Sequence, residues 1–141
     1  MSNAAFQNVN DVRAEVSMKQ RVLVVDDDKL VADTLSLIFR ANGFEAEACY
    51  SAAEGLERAR TYDPELLLCD VTMPETTGLE LAAKIDREIP SCKILMLTAY
   101  STNLAKVGEQ SQTMSRPVNV MTKPCRPEDL LREAGMLLKT A

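Results

Sequence analysis

Three short apolar runs punctuate the chain, and each ends in a polar group able to carry chemistry, as does a last short strand, Val118 to Met121, which holds Asn119 within it. Val22-Leu23-Val24-Val25 runs into Asp26-Asp27-Asp28, Leu66-Leu67-Leu68-Cys69 into Asp70, Ile94 to Leu97 into Thr98, and Val118 to Met121 into Thr122-Lys123-Pro124. Solid apolar runs of this length, without a polar alternate, read as strands covered on both faces, the condition found in parallel sheets. Phe44 to Cys49 differs, setting Phe44, Ala46 and Ala48 against Glu45 and Glu47, and reads as a strand nearer the sheet edge with one polar face.

Between the strands the apolar period changes to that of helices. Val31, Leu35, Ile38 and Phe39 predict a helix over Lys29 to Asn42, with Gly43 placed for a left-handed cap. Ser51-Ala-Ala-Glu54 forms a capping box ahead of a helix that runs to about Tyr62 and stops at Asp63-Pro64. Leu81, Ala82, Ile85 and Ile89 mark a third helix closed by Pro90, and Gly78 before it serves either a close approach or a positive φ. Asn103 to about Gln112 is a weakly periodic fourth helix. Pro127 opens a last one, with Leu130, Ala134 and Leu137 on its inner face. Five strands alternating with five helices predict an α/β fold with a doubly wound parallel sheet and right-handed crossovers.

Composition narrows the function. The 141 residues and 46% apolar content suit one domain with a sizeable core. Residues 1–17 read as an N-terminal tail, with a short helix allowed around Asn10 to Val16, and 18–141 as the domain. A net charge of −5 without a basic block argues against direct nucleic-acid binding. No bilayer-length apolar segment or secretory leader is evident, so no membrane contact and a cytoplasmic location are expected. Cys49, Cys69, Cys92 and Cys125 are irregularly spaced and read as reduced, core-filling thiols. The chain has no histidine, which removes imidazole chemistry and leaves carboxylates, lysine, hydroxyls and bound metal.

In a doubly wound sheet, ligands bind beyond the carboxyl ends of the strands. Asp26, Asp27, Asp70, Thr98 and Lys123 all fall at such ends. Three carboxylates in one cleft carry about three negative charges, of which a divalent cation such as Mg²⁺ offsets about two and Lys123 one more. Asp70 can then attack phosphorus as a nucleophile, giving an aspartyl phosphate, while Lys123 and the Thr98 hydroxyl meet the transferring group. Asp28 reads as an acid at the N-terminus of the first helix.

As an ordered set, Val-Leu-Val-Val-Asp-Asp-Asp (22–28), Leu-Leu-Leu-Cys-Asp-Val-Thr-Met-Pro (66–74) with Gly78-Leu-Glu-Leu, Leu-Met-Leu-Thr-Ala (95–99) and Thr-Lys-Pro (122–124) resemble the receiver domain of two-component response regulators. The resemblance covers Lys19 or so to the C-terminus. It implies a (βα)5 flavodoxin-like three-layer sandwich with strand order 2-1-3-4-5, and phosphorelay signalling in place of an enzyme's turnover, with slow autodephosphorylation only. It further implies Asp70 as phospho-acceptor, Asp26 and Asp27 as Mg²⁺-site acids joined by Asp70 and the Thr72 backbone carbonyl, Thr98 as switch hydroxyl and Lys123 as phosphate-binding lysine. A sensor histidine kinase or phosphotransfer protein would supply the phosphoryl group, and a downstream protein target would read it.

Three positions depart from the family pattern. Val120 stands where an aromatic switch residue is usual, Gln110 to Asn119 carries Ser115-Arg116-Pro117 in an altered loop, and Cys125-Arg126 replace an aromatic and a small residue. Thr72 and Tyr100 occupy places that tune loss of the phosphoryl group, and the bulk of Tyr100 predicts a longer-lived phospho-form. Two other functions compete: a metal-dependent phosphohydrolase working through an aspartyl phosphate, against which Leu30 and the absence of later paired acids count, and a degenerate receiver used only as an interaction module. With no residue after Ala141, a regulator acting by protein contact and a piece of a longer chain both remain open. A homodimer through the last helices is allowed but not favoured by their polar surface.

Overall fold

A computed structural model describes residues 19–74, 77–99, 109, 114 and 118–139. The elements run β1 (Arg21–Val25), α1 (Lys29–Ala41), β2 (Glu45–Cys49), α2 (Ala52–Tyr62), β3 (Leu66–Asp70), α3 (Gly78–Glu88), β4 (Lys93–Thr98), β5 (Asn119–Thr122) and α4 (Pro127–Lys139). All strands are parallel in the order β2-β1-β3-β4-β5. The predicted α/β sandwich is therefore present, with four helices among the described residues. The expected helix over Asn10 to Val16, that over Asn103 to Gln112 apart from Glu109, and Tyr100 and Ser115 to Pro117 lie outside them.

The solid runs are covered on both faces, as their composition demands. On one face Val22, Val24, Leu66, Leu68, Leu95 and Leu97 pack with Phe39 of α1 and with Leu130 and Ala134 of α4. On the other, Leu23, Val25, Leu67, Cys69 and Met96 meet α2 through Ala52 and Ala59 and α3 through Leu81, Ala82 and Ile85. Leu137 sits partly buried beside Leu130 and Ala134, as its spacing predicts. Burying a side chain such as Phe39 stabilises the fold by about 2 kcal/mol or more. β2 lies at one edge of the sheet, as its alternation predicts, and β5 at the other.

Helix ends follow local chemistry. At the end of α1, Gly43 takes φ 91°, its N–H meets Arg40 O, and the next N–H, of Phe44, donates to Phe39 O at 3.1 Å. The Phe44 ring packs edge-on against Phe39, centroids 5.3 Å apart, completing a Schellman motif. The Ser51 hydroxyl accepts from Glu54 N–H at 3.1 Å. Glu54 reaches back one residue further than a standard capping box, to the N–H of Tyr50 at 2.9 Å. α2 ends at Asp63, in the left-handed region at φ 53°, ahead of Pro64.

Two boundaries moved. β5 begins at Asn119 and includes Thr122, one residue later than the strand predicted over Val118 to Met121, because its pairing with Leu95 to Thr98 sets the register. α3 begins at Gly78 because Thr77 caps it, its hydroxyl accepting from Glu80 N–H at 3.2 Å. No helix among the described residues is long and apolar enough to cross a membrane.

Candidate functional site

Strand order reverses at β1, which lies between β2 and β3, and the predicted residues gather at that end of the sheet. Asp26 directly follows β1, and its N–H donates to Cys49 O at 3.1 Å. Its carboxylate is 2% exposed and held from two sides. Oδ1 accepts from Asp28 N–H at 2.9 Å, and Oδ2 accepts from Lys123 Nζ at 2.8 Å. Lys123 Nζ also lies 3.4 Å from Asp70 Oδ1 at the end of β3. Carboxylate oxygens of Asp26, Asp27 and Asp70 all lie within 4.8 Å of one another.

The three consecutive acids have different surroundings. Asp26 is buried beneath the cluster, and Asp27 is exposed at its rim. Asp28 caps α1, its Oδ1 accepting from Leu30 N–H at 3.1 Å and Val31 N–H at 3.3 Å. The expected helix-terminal role of Asp28 is thus seen. The sequence reading missed its second function, in which its own N–H fixes Asp26. An Asx-type turn after a strand is the signal that carries it.

Electrostatics follow from this packing. Burial raises the Asp70 carboxyl above the ordinary carboxylate range, the charges of Asp26 and Asp27 add to the effect, and Lys123 opposes it. For Lys123, burial works against the ammonium, but the hydrogen bond to Asp26 and the charges of Asp70 and Asp26 outweigh it and hold its pKa above the usual lysine value. One cation therefore serves two carboxylates.

Thr98 ends β4, is buried, and accepts Lys123 N–H on its carbonyl at 2.8 Å. Thr72 is exposed two residues beyond Asp70, on a loop pinned by Val71 N–H to Leu97 O at 2.9 Å and by the buried side chains of Val71 and Met73. Val120 pairs in register with Met96 and packs on the core face shared with α2 and α3. All described members of the predicted set therefore meet at one end of the sheet. The sequence reading also overlooked Tyr50, just beyond β2, whose hydroxyl donates to Asp33 at 2.5 Å while Lys29 Nζ lies 4.8 Å above its ring. No local spacing links residues 29, 33 and 50, so only the fold reveals that group.

Cys49, Cys69 and Cys92 are buried and Cys125 half-buried, all as free thiols. Burial pushes the Cys49 thiol to about 12 and Cys69 up as well, which suits packing in place of reactivity. The cluster itself offers only oxygen donors. Three carboxylates at this separation fit a hard cation such as Mg²⁺, which prefers oxygen ligands and retains water, and they do not fit a thiophilic metal.

Residues 22–134 match the response regulator receiver domain family. The DNA-binding response regulator MtrA of Mycolicibacterium smegmatis is 30% identical over 124 residues, covering 87% of this chain and 52% of the relative. The chain thus spans about half the length of the curated relatives it matches. Among solved structures, a CheY-like receiver domain protein from Methanospirillum hungatei superposes with a TM-score of 0.77 at 31% identity, over 85% of this chain and 94% of that one. TrrA from Thermotoga maritima, a response regulator solved in complex with Mg²⁺-BeF, gives a TM-score of 0.73 at 26% identity, over 84% and 98%. With the match spanning the sheet and every strand end that carries the acidic cluster, this chain belongs to the receiver domain family of the two-component response regulators.

Proposed function

We propose that Asp70 accepts the phosphoryl group, with Asp26, Asp27, Asp70 and the Thr72 backbone carbonyl as the Mg²⁺ ligands and Thr98 and Lys123 as the groups that receive the transferred phosphoryl. The observation that carries this reading is the single ammonium of Lys123 shared between Asp26 at 2.8 Å and Asp70 at 3.4 Å, with Asp27 beside them. A buried carboxylate held by a shared cation is desolvated and close to positive charge, as an oxygen nucleophile for phosphorus must be. Bound Mg²⁺ would supply charge neutralisation for the phosphate oxygens.

The chemistry needs no proton from Asp70. One carboxylate oxygen forms the new bond to phosphorus, the bond to the donor's leaving group breaks, and its electron pair departs with that group. The Lys123 ammonium then exchanges its contact with Asp70 for a phosphoryl oxygen, and the Thr98 hydroxyl donates to another. A sensor histidine kinase or phosphotransfer protein is the donor in this reading, and a downstream protein target reads the altered surface. The functional unit is 18–141, after a tail of 1–17, in the cytoplasm. Loss of the phosphoryl group is slow hydrolysis without turnover of other substrates.

The test is incubation with acetyl phosphate and Mg²⁺ followed by intact mass. The parent gains one phosphoryl group, which is lost on omitting Mg²⁺ or in Asp70→Asn. An unmodified parent, with an active donor verified on a second receiver, overturns the assignment.

A further inference from the structure

We propose that Gly78 is a positioning residue for the phosphoryl-accepting loop, its missing side chain letting α3 seat directly on the backbone of Asp70 with the Cys69 thiol completing the seat. This rests on the assignment of Asp70 above. A Cβ on Gly78 would lie well inside van der Waals contact of Asp70 O, 2.9 Å from Asp70 C and 2.9 Å from Cys69 Sγ. The obstacle is mainly backbone, which cannot swing aside as a side-chain tip would. Gly78 has no positive φ, so its conformation does not require glycine and only the close approach does.

Three hydrogen bonds make this contact directional. Gly78 N–H donates to Val71 O at 2.9 Å, and the Cys69 thiol donates to Asp70 O at 3.3 Å. From the opposite side, Val71 N–H donates to Leu97 O of β4 at 2.9 Å. The backbone from Cys69 to Val71 is therefore clamped between a strand and a helix start. That clamp fixes the direction of the Asp70 side chain and the course of the chain into Thr72. A ligand set drawn from a side chain and a carbonyl two residues apart depends on that backbone more than one built from long side chains, and loss of such support costs metal affinity about tenfold or more.

The experiment uses the full chain. Mg²⁺ affinity is measured calorimetrically for the parent, Gly78→Ala and, as a control, Gly135→Ala, whose added Cβ on α4 meets nothing within 4 Å. Amide exchange at residue 78 and urea unfolding are followed in parallel. In a folded Gly78→Ala protein the Mg²⁺ Kd rises about tenfold or more, the exchange at residue 78 accelerates, and Gly135→Ala matches the parent. A folded Gly78→Ala with a lower urea midpoint but a Kd within twofold of the parent overturns the inference, since a purely structural role moves the midpoint alone. If Gly78→Ala does not fold, Cys69→Ala decides: it removes the thiol donor without adding a clash, and a raised Kd supports the proposal while an unchanged one overturns it. A parent that binds no Mg²⁺ overturns the ligand assignment and this inference together, whereas a parent that binds and is phosphorylated leaves only the inference at stake.

Discussion

The ammonium of Lys123 donates to Asp26 at 2.8 Å across 97 residues of sequence, joining the residue after β5 to the residue after β1. Asp26 is 2% exposed, so removing Lys123 leaves a buried charge with the Asp28 amide but without its paired cation. Lys123→Met is expected to destabilise the metal-free protein by about 3 kcal/mol, with Mg²⁺ restoring part of the loss. Urea unfolding with EDTA or with Mg²⁺ measures both, and a midpoint unchanged by the substitution counts against this account.

The raised pKa of Asp70 fixes the sign of a pH effect. Because its carboxyl holds a proton more tightly in the folded chain than in the unfolded one, its contribution to stability falls as pH rises from the ordinary carboxylate value through the raised folded value. Glu47 and Glu88 act oppositely, lowered by hydrogen bonds to Arg58 and Arg60, and their small contributions are present above the unfolded value and lost as pH falls through the folded one. Asp70→Asn should therefore gain stability relative to the parent as pH rises from about 4 to 7. Parallel unfolding curves at several pH values test this in metal-free buffer, where a constant difference is the contrary result.

Adjacent acids should fail in different ways. Asp28→Ala removes the cap of α1 and is expected to cost about 1 kcal/mol of stability. Asp27→Ala touches no hydrogen bond of the fold among those described and relieves repulsion at the cluster, so stability should hold or rise while Mg²⁺ affinity drops about tenfold. Thermal unfolding paired with calorimetric titration separates the two; equal stability losses would refute the division of roles.

Gly43→Ala places a side chain at φ 91° and should cost about 1 kcal/mol. Phosphorylation by acetyl phosphate should be unaffected, because the Schellman turn lies at the opposite end of α1 from Asp28. A loss of labelling in the folded variant would show that turn to be coupled to the cluster.

Much of this fold was legible because its signals are local. Solid runs such as Leu66 to Cys69 can be satisfied only between two helical layers, and Gly43, Ser51 and Pro127 mark helix ends by their own geometry. Asp26, Asp27, Asp70, Thr98 and Lys123 were legible as a set because strand ends in a parallel sheet share one edge. Their inequality was not. That Asp26 is buried and Asp27 exposed depends on the Asp28 amide, whose Asx-type turn is local, and on the Cys49 carbonyl, a contact across strands that has no sequence signature of its own. The same holds for Gly78, where the sequence allowed two readings and only the proximity of Asp70 O decides between them.

β5 is the strand least held by burial, none of its four residues being fully enclosed. Its far end is secured by Lys123, through its N–H to Thr98 O and its ammonium to Asp26 and Asp70. Lys123 is thus a tether as well as a charge. Any anion that draws the ammonium away from the two aspartates removes a contact that secures the sheet's outer margin, so the centre of the sheet and its least enclosed strand share one residue.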